Sequence, residues 1–151
     1  MALKEGDKAP AIHLQTDTGE DFHLSSLKGK KVVLYFYPKA ATPGCTVEAC
    51  EFRDSMPKFK RKDVVVLGIS PDTPKAQASF KQKQSLPFTL LADPDKTAAQ
   101  AYGVWKEKNM YGKKVMGVER TTFLISEEGK IEKIFSKVKP QGHAEQVLSV
   151  L

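Results

Sequence analysis

Cys45 and Cys50 are the only two cysteines in this 151-residue chain, and they stand five positions apart. No Cys-x-x-Cys pair is present, and His13, His23 and His143 fall at no spacing that would complete a zinc set with the two thiols. A structural disulfide would be unusual in a cytosolic protein of this size. Two readings remain open: redox chemistry at the thiols, or two small side chains packed in a core.

The surroundings of Cys45 favour chemistry. The segment YFYPKAATPGCTVEAC joins an apolar, β-branched run to a stretch of helical periodicity. In parallel α/β sheets, ligands gather at the carboxyl ends of strands, where such a turn lies. Cys45 would fall in the first turn of the helix. There unpaired backbone N–H groups and the positive end of the macrodipole favour the thiolate, which is the nucleophile. Thr42 can reach the same space, either as a helix N-cap or as a partner for a bound oxygen species. Pro38 and Pro43 stiffen the loop and withhold two backbone donors, although Pro38 also reads simply as a strand terminator.

Cys50 poses a geometrical problem. Five residues along an intact helix separate two Cα atoms by ~8–9 Å and turn them to different faces. A disulfide needs Cα atoms within ~7 Å. A Cys45–Cys50 bond therefore requires the first turns of the helix to unwind, which suggests a cycle of folded reduced and locally unfolded oxidised states. The alternative is a Cys50 that only fills the core.

The elements that hold these residues read as an α/β chain. Ala11–Gln15 and Asp21–Leu24 flank Thr16-Asp17-Thr18-Gly19 as an N-terminal β-hairpin, and Ser25–Leu27 reads as one helical turn stopped at Gly29. Lys31–Tyr37 and Asp63–Ile69 are continuous apolar runs, expected as strands buried on both faces. Between them, Val47, Ala49, Cys50, Phe52, Met56 and Phe59 recur at helical spacing from about Thr42 to Lys60. Thr73-Pro74 opens a helix to about Gln84, Phe88–Leu91 is a short strand, and Asp93-Pro94 caps a helix ending near Tyr102 with Gly103 behind it. Thr121–Ile125 and Ile131–Phe135 form a second hairpin, and Gly142–Leu151 closes as a helix. This order predicts a mixed central sheet with helices on both faces, a thioredoxin-like fold carrying an N-terminal β-hairpin. Order alone fits a flavodoxin-like sheet nearly as well; the closing antiparallel hairpin favours the former. With no repeat and no linker, residues 1–151 are expected to form a single domain.

Composition narrows the classes. Hydrophobic residues make up 40% and charged residues 28%, which is neither a disordered nor a membrane balance. No run approaches the ~20 apolar residues of a membrane span, and MALKEGDKAP has no apolar core of a secretory signal, so a cytoplasmic location is expected. The net charge of +6 is dispersed apart from Lys58, Lys60, Arg61 and Lys62, which suit a helix C-terminus better than a nucleic-acid stripe.

Pro38-x-x-x-Thr42-x-x-Cys45 resembles the active-site signature of the peroxiredoxins. Tyr35-Phe36-Tyr37-Pro38-Lys39 with Thr42-Pro43-Gly44-Cys45-Thr46 is similar to their peroxiredoxin Q, or bacterioferritin comigratory protein, subfamily. Gly68-Ile69-Ser70, Phe88–Asp93, Tyr102–Trp105 and Arg120–Ile125 extend the resemblance over nearly the whole chain. It implies a thioredoxin-like fold and a thiol-dependent peroxidase acting on hydrogen peroxide and organic hydroperoxides. Cys45 would be the peroxidatic cysteine and Cys50 the resolving one, forming an intramolecular disulfide recycled by thioredoxin or a similar dithiol. Thr42 would hydrogen-bond the peroxide, Pro38 would shield the thiolate, Arg120 would stand beside the thiolate and stabilise it, and Gly44 would belong to the substrate site; without the resemblance, Arg120 reads as a solvated charge at a strand end. Glu48 would orient Arg120, although a first-turn carboxylate also favours a helix dipole on its own. No metal, haem or flavin is implied, and a monomer is expected. Ala40 and Ala41 depart from the Asp-Asn that many members carry there. Two other classes compete: a thiol–disulfide oxidoreductase, which would want the missing Cys-x-x-Cys, and a redox sensor or chaperone-like binding protein reporting oxidation through helix unwinding.

Overall fold

Residues 3–151 are described by a computed structural model. Part of the N-terminal signal reading therefore concerns Met1 and Ala2, which lie outside the described residues. The first strands, β1 (His13–Thr16) and β2 (Asp21–His23), pair antiparallel as the expected hairpin, and a single 3-10 turn follows at Leu24–Leu27. Strand β3 (Lys31–Phe36), helix α1 (Pro43–Arg61), strand β4 (Val64–Ser70), helix α2 (Pro74–Gln84) and strand β5 (Thr89–Ala92) form two consecutive crossovers. Strands β3, β4 and β5 run parallel. After a short helix α3 (Thr97–Ala101) come β6 (Trp105–Met110), β7 (Lys113–Val118), β8 (Thr121–Ile125), β9 (Ile131–Phe135) and helix α4 (His143–Leu148).

Seven strands make the main sheet in the order β2-β1-β5-β4-β3-β8-β9. Strand β8 joins β3 antiparallel, and β1 joins β5 antiparallel, so the sheet is mixed and β3 lies inside it. Alternation along β3 divides the interior. Val33, Tyr35 and Tyr37 enter a core with Phe52 and Phe59 of α1, Phe80 of α2 and Val147 of α4. Val32, Leu34 and Phe36 enter the opposite core with Ala98, Ala99 and Tyr102. Helices thus cover both faces, as expected. Among the described residues no helix is long and apolar enough to cross a membrane.

Helix α1 forms because Ala49, Phe52, Met56 and Phe59 return to one face, all of them buried. Pro43 takes its first position, where a missing N–H costs nothing. Lys58, Lys60 and Arg61 occupy its last turn, the dipole-favouring place predicted for them.

Two expectations fail. Asp93-Pro94 does not open α3, because Asp93 still donates its N–H to Ser70 O at 2.9 Å across the sheet. Its carboxylate instead caps the helix from a distance, accepting the N–H groups of Ala98 at 3.2 Å and Ala99 at 2.9 Å. The second miss is the β6–β7 hairpin, a separate two-stranded sheet absent from the sequence reading. Half of its strand residues are Lys, Glu or Asn, and the strands carry little apolar alternation. Tyr111 and Gly112 both take positive φ, 54° and 79°, the two-residue turn that matches strand twist.

Candidate active site

Cys45 is the third residue of α1. The first intrahelical donor is Thr46 N–H, on Thr42 O at 2.9 Å. Pro43 has no N–H, so the N–H groups of Gly44 and Cys45 remain as donors at the mouth of the helix. The sulfur is not open to solvent, as a reactive helix-start thiol would suggest. Cys45 is only 1% exposed and packs with Tyr35, Tyr37, Ala40 and Ala49. A water-poor setting strengthens any charge placed beside it.

That charge is Arg120, which immediately precedes β8. Its Nη2 lies 3.3 Å from Cys45 Sγ and its Nη1 donates to Glu48 Oε1 at 2.6 Å. One planar guanidinium thus holds the sulfur and the carboxylate at fixed angles, a geometry lysine cannot reproduce. The Arg120 backbone is pinned as well, since Val138 N–H donates to its carbonyl at 2.9 Å. Burial works against the guanidinium charge, yet Glu48 and the Cys45 sulfur hold its pKa above the usual arginine value.

Glu48 is fully buried one turn into the helix. Burial pushes its carboxyl up to about 7, while Arg120 pulls it down. Its Oε2 and the hydroxyl of Tyr35 have no hydrogen-bond partner among the described residues. No acidic residue falls in the first turn of α1, so the first-turn dipole role weighed for Glu48 fails, and its partner is Arg120.

Thr42 occupies the N-cap by backbone conformation, with φ −82° and ψ 156°, but its side chain makes no cap bond. The hydroxyl instead donates to Lys39 O at 2.7 Å. With its proton committed there, Oγ1 keeps its lone pairs for an incoming O–H. Pro38 is half-buried, just past Tyr37, whose N–H continues the β3–β4 ladder onto Ile69 O. The loop is tied to β4 through Asp72, whose Oδ2 accepts Ala40 N–H at 2.8 Å and Ser70 Oγ at 2.6 Å. Ala41 has φ 66°, a left-handed conformation that alanine adopts at a cost. Gly44 lies so close to Arg120 that a Cβ would stand 3.3 Å from Nη2 and 3.4 Å from Pro140 Cγ.

Cys50 sits further along the intact helix, half-buried, with its Sγ donating to Gln84 Oε1 at 3.4 Å. Both thiols are free. The structure brings Cys45, Glu48 and Gly44 against Arg120, places Thr42 just before the helix with its hydroxyl on Lys39 O, and leaves Cys50 on the α2 side of the helix.

Three neighbours escaped the sequence reading. Pro140 closes on Gly44 from the loop before α4. His143 was weighed only as a metal ligand; it is buried behind the site between Thr122 Oγ1 at 2.7 Å and Gln146 Oε1 at 3.0 Å. Burial lowers its pKa against the opposing bond to Gln146, and the Arg120 charge adds to the lowering. Lys108 of β6 is half-buried, and burial followed by the Arg120 charge lowers its pKa. No local pattern marks these residues, because their role depends on which loops cross the end of the sheet.

The AhpC/TSA family profile matches residues 5–134. A putative peroxiredoxin bcp of Coxiella burnetii is 56% identical over 151 residues, covering 100% of both chains. Peroxiredoxin Bcp of Bacillus subtilis is 49% identical over 151 residues, which is 100% of this chain and 96% of that one. Among solved structures, a Xylella fastidiosa PrxQ mutant superposes with a TM-score of 0.94 at 38% identity, covering 99% of this chain and 96% of the other. A Xanthomonas campestris bacterioferritin comigratory protein, studied for alkyl peroxide reduction, gives 0.88 at 42% identity over 92% and 88% of the two chains. Sequence and fold agree: the chain belongs to the AhpC/TSA family, among the peroxiredoxins of the Bcp or peroxiredoxin Q type, and is a thiol-dependent peroxidase.

Proposed function

We propose that Cys45 is the peroxidatic residue and that Arg120, 3.3 Å from its sulfur, is the group that makes it one. The thiolate attacks the terminal oxygen of a hydroperoxide, whose O–H donates to Thr42 Oγ1. The O–O bond breaks, Cys45 becomes a sulfenic acid, and water or an alcohol leaves after taking a proton. Charge develops on the departing oxygen, where the Arg120 guanidinium and the free N–H groups of Gly44 and Cys45 stabilise it. Glu48 holds the guanidinium in that orientation. Pro38, with the apolar wall around Cys45, keeps competing water away.

The start of α1 then unwinds, and the Cys50 thiol condenses with the sulfenic acid to give an intramolecular disulfide and water. Thioredoxin, or a similar dithiol, restores both thiols by exchange. Alkyl peroxide reduction by the Xanthomonas campestris relative supports organic hydroperoxides beside hydrogen peroxide as substrates. A resolving thiol in the same chain supports a monomer, and two free thiols suit the reducing cytoplasm. Residues 1–151 act in this reading as one domain.

A coupled assay with NADPH, thioredoxin reductase and thioredoxin, using hydrogen, tert-butyl and cumene peroxides, tests it. Wild type is expected to turn over all three, and Cys50→Ser to lose thioredoxin-supported recycling. Undiminished recycling by Cys50→Ser would remove Cys50 from its role.

A further inference from the structure

Resolution requires Cys50 to leave its place, so whatever holds it there controls the second half of the cycle. The Cys50 sulfur donates to Gln84 Oε1 at 3.4 Å. One turn on, Arg53 Nη1 donates to the backbone carbonyl of the same Gln84 at 2.7 Å. Gln84 is the last residue of α2, and the following Ser85 turns left-handed at φ 53°, so both Gln84 acceptors belong to a helix end. On the neighbouring position of α1, Glu51 Oε1 accepts Gly142 N–H at 2.8 Å, which ties the same turn to the start of α4. Cys45 and Glu48, one turn earlier, are tied to Arg120 instead. The helix therefore has two sets of moorings: one at the reacting sulfur, and one at the turn that carries Cys50.

We propose that Gln84, supported by the Arg53 bond to its carbonyl, is a positioning residue that moors Cys50 to α2 and sets the rate at which the resolving thiol is delivered. The proposal rests on the assignment of Cys50 as the resolving cysteine. The mooring uses the S–H as donor, so it holds the Cys50 sulfur against the end of α2 while Cys45 meets peroxide. When Cys45–SOH has formed, the S–H···O bond breaks and α1 frays through Cys50. The Cys50 sulfur then bonds to the Cys45 sulfur. The hydroxyl of the sulfenic acid leaves and takes the Cys50 proton, giving one disulfide and one water. A tighter mooring lengthens the life of the sulfenic acid and exposes it to a second peroxide; a looser one shortens it.

Two variants separate acceptor chemistry from packing. Gln84→Met keeps the length of the side chain and removes the acceptor, and Gln84→Glu keeps an acceptor. Reduced protein is mixed with one equivalent of hydrogen peroxide, quenched at millisecond intervals with a thiol-blocking reagent, and analysed by mass spectrometry for sulfenic acid, disulfide and sulfinic acid. The net worth of one such hydrogen bond corresponds to roughly a two- to tenfold change in rate. Gln84→Met is expected to convert sulfenic acid to disulfide about two- to tenfold faster and to yield less sulfinic acid under excess peroxide. Gln84→Glu is expected to resolve at the wild-type rate or more slowly. Equal rates in all three proteins, or slower resolution by Gln84→Met, would overturn the mooring. Mapping the disulfide in wild type distinguishes the underlying assignment: a Cys45–Cys50 bond with unchanged rates defeats the mooring alone, whereas no such bond defeats both.

Discussion

At the scale of single residues, the proposed chemistry rests on one guanidinium shared between a sulfur and a carboxylate. Arg120→Ala removes the cation from a covered sulfur and from the departing oxygen. Loss of one such preorganised group costs about 10²–10³ in rate, so sulfenic acid formation, followed by stopped flow, should slow by about that factor. Arg120→Lys should recover only part of it, because an ammonium cannot hold Cys45 and Glu48 with two parallel donors. Equal rates for wild type and Arg120→Ala would reduce Arg120 to a structural residue. Ala41 makes a separate point. Its φ of 66° places an alanine in the left-handed region. That conformation costs ~1–2 kcal/mol for a residue with a Cβ, against ~0.5–1 kcal/mol of extra chain entropy for glycine. Ala41→Gly should therefore raise stability by about 0.5–1 kcal/mol in urea denaturation, and a lower midpoint would refute this account of the loop.

At the scale of elements, the proposed cycle asks α1 to be a scaffold in one state and a hinge in the other. Of Ala49, Phe52, Met56 and Phe59 on its buried face, only Ala49 precedes Cys50, so the first turns can open without losing most of that packing. The strand beneath it is less forgiving. A Cβ at Gly68 of β4 would meet the Tyr35 ring and Leu90 at 2.9 Å, and Tyr35 stacks on Phe52 of α1 at 4.6 Å. Gly68→Ala should destabilise the fold by about 1–3 kcal/mol; an unchanged denaturation midpoint would show that the aromatic stack yields freely. Strands β3 and β4 and helix α1 were legible in the sequence because each writes its period in apolar residues. The β6–β7 hairpin was not, since its residues are chosen for solvent and only Tyr111-Gly112 marks its turn. The start of α3 was misread for a related reason: a capping aspartate looks the same whether it adjoins the helix or reaches it across a turn. Cys45 and Thr42 were legible because the strand–turn–helix segment that carries them marks a site on its own; Gly44 and Glu48 lie in the same segment but drew their roles from the family resemblance. Arg120 needed the family resemblance, and Pro140, His143 and Lys108 could be found only once distant loops met at the end of the sheet.

At the scale of the whole molecule, burying Glu48 links stability to pH. Its carboxyl has a folded pKa of about 7, above the ordinary 4.5, and burial is the main cause. The folded protein therefore keeps a proton that the unfolded chain releases over this range, and stability falls as pH rises from about 4.5 to 7. Below that window both states are protonated and Glu48 contributes nothing. Glu48→Gln lacks the effect, so its stability relative to wild type should rise between pH 5 and pH 8 in parallel denaturation curves. The same variant should slow sulfenic acid formation, because an amide holds Arg120 less firmly than a carboxylate. A stability difference independent of pH would mean that Glu48 titrates at its ordinary value despite its burial.

In the proposed cycle one sulfur, Cys45, takes the oxygen and a second, Cys50, removes it. Single-turnover stoichiometry tests this most directly, with reduced protein mixed with excess hydrogen peroxide without any reductant and the thiols and bound oxygen counted by intact mass. Cys50→Ser should gain one oxygen as sulfenic acid at Cys45 before any further oxidation, wild type should lose two hydrogens as the disulfide, and Cys45→Ser should remain unchanged on the same timescale. Rapid peroxide consumption by Cys45→Ser would contradict the account.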